Sequence, residues 1–343
     1  MIRIPALERP GARILVIQTA FLGDVILATP LFRVLRKYLP QAEVHVLVLP
    51  SNAEVISSQV AKVITIDKRE RRGLGERWKQ LTRELKRNEY ALALIPHRSG
   101  RSALTARRAG IPYRIGFARG WGRFWHTSRI PYESNLYEGQ RNLKLLRSFL
   151  EFEDDGLPQL FPTEYDNGVV QKILDDSKLE NYQFIVMAPG SVWATKRWPE
   201  EYYQILTKRI YQEAGLPTVW VGGKEDYELG ERLSQTGGIN LIGRFTPLQS
   251  AALMALSRLV ISGDSAPAHL ASAMRVRQLI IFGSTTPQFG FAPPVESARG
   301  VGVDLWCRPC NNHGRRRCPW SKKPACLYQV TPEYVFRSIE DWL

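Results

Sequence analysis

Short apolar runs alternate with segments of helical periodicity through the first half of the chain. Four apolar runs predict strands at residues 14–18, 43–49, 63–66 and 90–95. Between the first two, the apolar residues of 25–39 recur largely at helical spacing, which predicts a helix. Because proline lacks a backbone N–H, we expect Pro30 to kink this helix or delay its start.

The alternation lapses at residues 154–167, which are rich in turn-forming residues and predict a linker. It then resumes in the second half. Strands are predicted at 184–188, 217–221, 239–242, 259–262 and 278–282. Helices are predicted at 199–213, 226–235, from Thr246 and Pro247 onwards, around 268–274, and from a Thr331 cap to residue 343.

Apolar strands separated by helices are typical of parallel sheets that helices cover on both faces. The pattern therefore predicts an α/β protein made of two doubly wound halves. No internal repeat is visible in the residues themselves. In such folds ligands bind at the carboxyl ends of the strands, so we expect a cleft lined by those ends.

The composition is that of a globular protein, with 44% hydrophobic and 23% charged residues. We find no run of 18 apolar residues and no beginning that resembles a signal peptide. We therefore expect a cytoplasmic protein.

The whole chain has a net charge of +14, and its basic residues are concentrated in the first half. Residues 68–123 hold 16 lysines and arginines but only four glutamates. Such a segment favours a polyanionic partner: nucleic acid, an anionic membrane surface or a phosphorylated substrate. A solvated helix face is the simpler interpretation for part of it, because Glu70, Glu76 and Glu84 are interspersed among the cations.

All the cysteines lie near the end of the sequence, at Cys307, Cys310, Cys318 and Cys326. In a cytosolic protein they are not expected to form disulfides. The C-x2-C spacing of the first pair is typical of half a tetrahedral zinc site, whereas the second pair lacks this spacing. A bound metal and a cluster of reduced cysteines both remain open.

Three loops of the second half follow predicted strands and carry polar residues next to glycines. The first contains Ser191 and Lys196, the second Glu225, and the third Asp264, Ser265 and His269. Glycines allow close backbone approach, a lysine suits a phosphate, and helix N-termini bind anions. Each residue also has a structural explanation, as surface charge, a helix cap or a core histidine. Together, the loops predict a pocket for a nucleotide diphosphate.

Asp24 follows the first strand at the start of the first helix, where a carboxylate can simply cap free N–H groups. Neither G-x-G-x-x-G nor G-x-x-x-x-G-K-[ST] occurs, which argues against a dinucleotide dehydrogenase and a P-loop NTPase.

Five segments stand out along the chain: QTAFLGDVILATP at 18–30, APGS at 188–191, KRWP at 196–199, SGDSAPAHLA at 262–271 and FGSTTP at 282–287. Together they resemble glycosyltransferase family nine, the ADP-heptose:lipopolysaccharide heptosyltransferases. The cysteine-containing tail is most similar to the heptosyltransferase II branch.

The resemblance implies a GT-B fold with two Rossmann-like domains. Residues 1–160 would bind the acceptor, residues 161–330 the nucleotide sugar, and residues 331–343 would return to the first domain. It implies an inverting transfer from ADP-heptose to a phosphorylated, Kdo- and heptose-bearing lipid A core, with no required cofactor. It also implies peripheral attachment to the inner face of the inner membrane, through its anionic surface, and no nucleic-acid partner.

The resemblance also assigns roles to particular residues. Asp24 matches the proposed general base. The matching donor-binding positions are Ser191, Lys196, Glu225, Asp264, Ser265, Ala266 and His269. Ala266 departs from the glycine that many members have there, which implies a slightly altered loop. The basic residues Arg98, Arg101, Arg119 and Arg123 would meet the acceptor.

Two alternatives remain open. One keeps the fold but heptosylates a protein or another glycan, with iron or zinc at the cysteines. The other is a nucleic-acid-binding protein that uses the basic segment, although no recognisable nucleic-acid motif is present.

Overall fold

The structure is a computed structural model that describes residues 1–68, 70 and 72–343. Arg69 and Arg71 of the basic segment lie outside the described residues. The chain divides into two compact units, Met1–Gln159 and Leu160–Leu343. The predicted domain boundary lies between residues 160 and 161.

The first unit contains a parallel sheet of six strands in the order β3-β2-β1-β4-β5-β6. The strands are β1 (Arg13–Ile17), β2 (Glu43–Val48), β3 (Lys62–Thr65), β4 (Leu92–Ile95), β5 (Tyr113–Phe117) and β6 (Ser128–Ile130). The helices are α1 (Leu22–Ile26), α2 (Thr29–Tyr38), α3 (Leu74–Arg87), α4 (Gly100–Arg108) and α5 (Glu138–Arg147). Leu15 and Ala93 of the central strands pack with Leu85 of α3 and Ala106 of α4, so the strands are apolar on this face.

The second unit contains another parallel sheet of six strands, in the order β12-β11-β10-β7-β8-β9. The strands are β7 (Ile185–Ala188), β8 (Thr218–Trp220), β9 (Ile239–Asn240), β10 (Leu259–Gly263), β11 (Gln278–Ile281) and β12 (Ala298–Val301). The helices are α6 (Glu164–Asp176), α7 (Glu200–Ala214), α8 (Tyr227–Ser234), α9 (Pro247–Ala255), α10 (Ala266–Ala273), α11 (Ala325–Tyr328) and α12 (Pro332–Arg337).

Both sheets have the same connectivity, although the sequence shows no repeat. In each, the chain builds outward from the first strand to one side and then returns to the other side of that strand. The reversal falls between β1 and β4 in the first unit, and between β7 and β10 in the second. Ligands bind outside the carboxyl ends of the strands at such a switch point. The topology therefore selects the segments after β1, β7 and β10 as candidate sites.

The helix predicted over 25–39 is two helices in the structure, and the delayed start that we expected from Pro30 is confirmed for the second. α1 ends at Ile26 and α2 begins at Thr29, with Pro30 in its first turn. Proline suits that position because the first N–H groups of a helix have no intrahelical partner. The side-chain amide of Asn142 on α5 donates to the carbonyl of Leu27 at 3.0 Å, which ties the break to the core.

The predicted linker over 154–167 is wrong in its last part, because α6 already begins at Glu164. Thr163 and Asp166 form a capping box, with Asp166 accepting from the Thr163 N–H at 2.9 Å. The T-x-x-D signal was therefore present in the sequence among the turn residues.

The predicted helix from the Thr331 cap to residue 343 is also shorter than expected. α12 ends at Arg337, and a 3-10 turn follows at Glu340–Trp342. Phe336 and Trp342 join the core of the second unit. The return of residues 331–343 to the first unit stays a prediction.

Candidate active site

The second unit brings together two residues that lie 68 positions apart. Lys196 follows β7 and Asp264 follows β10, the two strands at the switch point. The Lys196 ammonium donates to Asp264 Oδ2 at 2.7 Å and to the Asp264 carbonyl oxygen at 3.0 Å. Both side chains are buried, so the lysine is not surface charge and the aspartate is not merely a cap.

Asp264 positions the Lys196 ammonium and is itself positioned by Thr285. The hydroxyl of Thr285, in the segment after β11, donates to Asp264 Oδ2 at 2.7 Å. An ammonium group has three N–H donors, and Asp264 accepts two of them in this geometry. The third can face an incoming phosphate oxygen while the ion pair stays intact.

Glycines allow the backbone to pass close to this pair. A Cβ added at Gly263 would lie 2.8 Å from the carbonyl oxygen of Lys196, closer than real Cβ contacts allow. A Cβ added at Gly190 would lie 1.9 Å from the Asp226 carboxylate. The loop after β7 therefore requires glycine at position 190 in order to pack against Asp226.

Ser191 and Glu225 lie on the two loops after β7 and β8. The Ser191 hydroxyl accepts a hydrogen bond from the Trp193 N–H at 3.3 Å. The Ser191 backbone carbonyl accepts one from the Arg197 side chain at 2.6 Å. Glu225 is exposed in a 3-10 turn. Its neighbour Asp226 is buried, which raises the pKa of that carboxyl, while Arg197 at 3.6 Å opposes the shift.

The N-terminus of α10 carries the remaining predicted donor residues. Ser265 is the N-cap residue, yet its hydroxyl makes no capping hydrogen bond. Ala266 is the first residue of the helix and is half-buried. His269 is buried, and burial lowers the pKa of its imidazole to about 4, with Lys196 adding to the effect and Asp264 opposing it. The ring is therefore neutral at pH 7, and its Nδ1 has no partner among the residues that the structure describes.

The cysteine-containing tail packs against the same loops. Arg315 donates its N–H to the Thr195 hydroxyl at 2.7 Å, and Cys310 donates its N–H to the Ser284 carbonyl at 3.0 Å. The Arg308 guanidinium donates to the carbonyls of Gly283 and Thr285 at 2.8 and 2.9 Å. The tail thus holds the segment that presents Thr285 to Asp264.

The cysteines themselves are free thiols. The pKa of Cys326 is raised to about 11, mainly by burial, with smaller contributions from the neighbouring Cys310 and Cys318. Over residues 1–68, 70 and 72–343, no group of three or more His, Cys, Asp or Glu side chains is arranged to hold a metal ion. The zinc or iron that we considered from the sequence thus has no preformed ligand set in that part of the chain.

Asp24 lies in the first turn of α1, immediately after the carboxyl end of β1. Its Oδ2 accepts the Phe21 N–H at 3.1 Å, and the Gln18 side chain donates to its carbonyl at 3.4 Å. The capping geometry expected from the sequence is therefore present. The half-buried carboxylate lies at the switch point of the first sheet, and its role as a base stays a prediction.

A buried acidic residue that the sequence did not single out lies near Asp24. The pKa of Glu138 is raised to about 7, mainly by burial; the charge of Asp24 contributes to the rise, while Arg141 opposes it. Arg141 is fully buried and donates to Glu138 and to the Tyr132 hydroxyl. Its other donors reach the carbonyls of Glu133, Ser134 and Leu136. This network fixes the start of α5 next to the proposed base.

The structure separates the four predicted acceptor arginines into two groups. The guanidinium carbons of Arg98 and Arg119 both lie 5.5 Å from the centre of the Tyr132 ring, and Arg141 lies 4.5 Å from it. Arg98 also lowers the pKa of Glu138. Arg98 and Arg119 therefore belong to the same surroundings as Asp24.

Arg101 and Arg123 contact other aromatic rings of the first unit. The Arg101 guanidinium carbon is 5.6 Å from the Trp78 ring, and that of Arg123 is 4.8 Å from the Phe124 ring. Both arginines are exposed, on α4 and on the 3-10 turn Trp121–Trp125. The sequence could not separate the two pairs, because all four belong to one basic segment.

Comparison with known proteins identifies the family. A model described as "Glycosyltransferase family 9 (heptosyltransferase)" matches residues 78–320. Lipopolysaccharide heptosyltransferase 1 of Pseudomonas aeruginosa is 26% identical, with 94% of this chain and 89% of that protein covered. Lipooligosaccharide heptosyltransferase 2 of Haemophilus ducreyi is 28% identical, with 82% and 86% covered.

The fold agrees with a solved structure. That of E. coli ADP-heptose lps heptosyltransferase II superposes with a TM-score of 0.74 at 22% identity, over 96% of this chain and 98% of that one. Two six-stranded parallel sheets covered by helices form the shared architecture, as the resemblance implied. The chain therefore belongs to glycosyltransferase family 9, the heptosyltransferase family, and is a glycosyltransferase with the GT-B fold.

Proposed function

We propose that this enzyme transfers a heptose from ADP-heptose to the phosphorylated, Kdo- and heptose-bearing inner core of lipopolysaccharide, with Asp24 as the general base. The observation that carries the proposal is the buried Lys196–Asp264 pair at the switch point of the second sheet. The names of the relatives support the donor and the class of acceptor.

The second unit would bind the donor diphosphate. The free N–H of Lys196 and the amides at the start of α10 are donors of the kind that stabilise a leaving phosphate. Ser191, Ser265, Ala266 and His269 would line this site, and Glu225 would lie near the nucleotide ribose. As the bond between the anomeric carbon and the phosphate oxygen breaks, ADP leaves with the electron pair and gains negative charge.

The first unit would bind the acceptor. An acceptor hydroxyl oxygen attacks the anomeric carbon and inverts it, while its proton moves to the Asp24 carboxylate. Arg98 and Arg119, which both lie over the Tyr132 ring, would bind acceptor phosphates or the carboxylates of Kdo, because guanidinium groups pair strongly with such anions. Arg123, predicted for the same role, would meet a more distant part of the acceptor, whereas Arg101 lines an aromatic groove.

Substitution of Asp24 by asparagine tests the base. Asparagine keeps an oxygen for the Phe21 N–H, so α1 should stay capped while proton acceptance is lost. We expect kcat to fall by about 10²- to 10⁴-fold with ADP-heptose and a heptose-deficient core acceptor, the range for a positioned general base.

Asp166→Asn is the matched control, because Asp166 is also a carboxylate in a capping box, in the first turn of α6. It should retain wild-type turnover. Activity of Asp24→Asn within a few-fold of wild type would exclude Asp24 as the base. If the wild type transferred a sugar from another nucleotide sugar but none from ADP-heptose, the proposed donor would be wrong.

A further inference from the structure

The first unit has a groove lined by residues that the proposed chemistry at Asp24 does not use. It is formed by α3, α4 and the 3-10 turn Trp121–Trp125, and has a volume of about 780 Å³. Three indoles line it, those of Trp78, Trp121 and Trp125. The exposed atoms of its wall are mostly apolar.

The groove and the turn beside it expose aromatic side chains. Trp121 is 75% exposed and its neighbour Phe124 is 55% exposed, with ring centres 6.2 Å apart. Trp78 and Trp125 pack at their other sides against the core of the unit. Exposed aromatic clusters of this kind are typical of interaction sites, and tryptophan prefers the boundary between water and hydrocarbon.

Cations surround these indoles. Lys79, Arg83, Arg101 and Arg108 all line the groove. Glu76 neutralises part of this charge, through Lys79 at 3.4 Å and Arg83 at 4.0 Å. Arg101 and Arg108 form no ion pair with any carboxylate in the described part of the chain. The groove is therefore apolar inside and positively charged at its edge.

We propose that this groove docks the enzyme on a bilayer by binding an anionic phospholipid. The phosphate of the lipid would meet Arg101 and Arg108, while an acyl chain would lie against Trp78, Trp121 and Trp125. The mostly apolar wall suits an acyl chain. Single-stranded nucleic acid also binds basic grooves with exposed aromatic rings, so it is the competing occupant in the test. The inference deepens the proposed function, because an enzyme whose acceptor is anchored in lipid must work at a membrane.

Sedimentation of the full-length protein with vesicles tests the proposal. Vesicles of phosphatidylcholine with 30% phosphatidylglycerol should bind the wild type, pure phosphatidylcholine vesicles should bind it more weakly, and high salt should reduce binding. Arg108→Gln should lower the partition coefficient by about fivefold, the effect of one cation near an anionic surface. Trp121→Ala should lower it at least as much.

Each variant has a matched control. Arg107 is exposed on the same helix but does not line the groove, and Trp306 is an exposed tryptophan of the other unit. Arg107→Gln and Trp306→Ala should bind vesicles like the wild type. Thermal stabilisation by ADP reports binding at the donor site and should be equal in all four variants. A failure of the proposed lipid docking can therefore be told apart from a failure of the proposed function.

Three outcomes would overturn the proposal. The first is that the wild type binds charged and uncharged vesicles equally well, or that it binds neither kind. The second is an equal effect of the groove variants and their controls. The third is salt-sensitive binding of single-stranded RNA that the groove variants abolish, without binding to vesicles.

Discussion

The buried ion pair of the second unit makes a quantitative prediction for Lys196→Met. Methionine keeps the length of the side chain but removes the ammonium, so the Asp264 carboxylate stays buried without its cation. Lys196 and Asp264 side chains are only 10% and 5% exposed, so water cannot readily take the place of the ammonium.

The loss of stability depends on which hydrogen-bond partners Asp264 loses and which it retains. Removing one partner of a buried pair typically costs about 3–5 kcal/mol. Because Thr285 still donates to Asp264 Oδ2, we expect the lower end, about 3 kcal/mol. For a unit of this size, that lowers the melting temperature by about 6–12 °C.

Calorimetry of the protein without nucleotide measures this change. Because the chain has two units, hydrogen exchange of peptides covering β7 and β10 assigns the loss to the second one. Adding Asp264→Asn to Lys196→Met removes the stranded charge and should recover at least half of the loss. Lys224→Met, at an exposed site, is the control.

A melting temperature of Lys196→Met within 2 °C of wild type would refute the reasoning. So would a double variant no more stable than the single one, because the loss would then not come from an unpaired carboxylate.

Two further predictions concern residues near the two candidate sites. The folded state holds the Glu138 proton up to a pKa of about 7, against 4.5 for an ordinary glutamate, so the free energy of unfolding should fall by about 3 kcal/mol as the pH rises through this window. Urea unfolding at several pH values should show that Glu138→Gln removes this decrease, and an unchanged slope would contradict the assignment. Gly190→Ala should destabilise the second unit by about 1–3 kcal/mol and weaken ADP binding, because the new methyl group collides with Asp226. Gly222→Ala is its control, since the nearest atom to a Cβ there is at 3.5 Å; equal melting temperatures and ADP affinities of these two variants would show that the collision is absorbed.

Residues that the sequence did not identify belong to segments without a distinctive pattern. Glu138 and Arg141 lie in the first turns of α5, where charged residues spaced three apart resemble the exposed face of an ordinary helix. Only their burial makes them notable, and burial depends on how α5 packs on the sheet. Thr285 was visible in the segment 282–287 that resembles the family, but its contact with Asp264 was not.

The missed strands have a related cause. β6 and β12 are edge strands, and β5 begins with half-buried residues, so none shows a long apolar run. Such strands acquire their structure from the neighbour that they pair with. Periodicity, a local signal, cannot report that pairing.

The sequence by itself determined the alternation of strands and helices, and hence two parallel sheets. It also determined the position of Asp24, because the turn from β1 to α1 and its capping carboxylate are local features. Only the tertiary structure decided which strands are neighbours. That order brings Lys196 to Asp264 and places Glu138 near Asp24. The reason is physical: hydrophobic spacing specifies which face of an element is buried, whereas its partner is chosen by packing between residues distant in the chain.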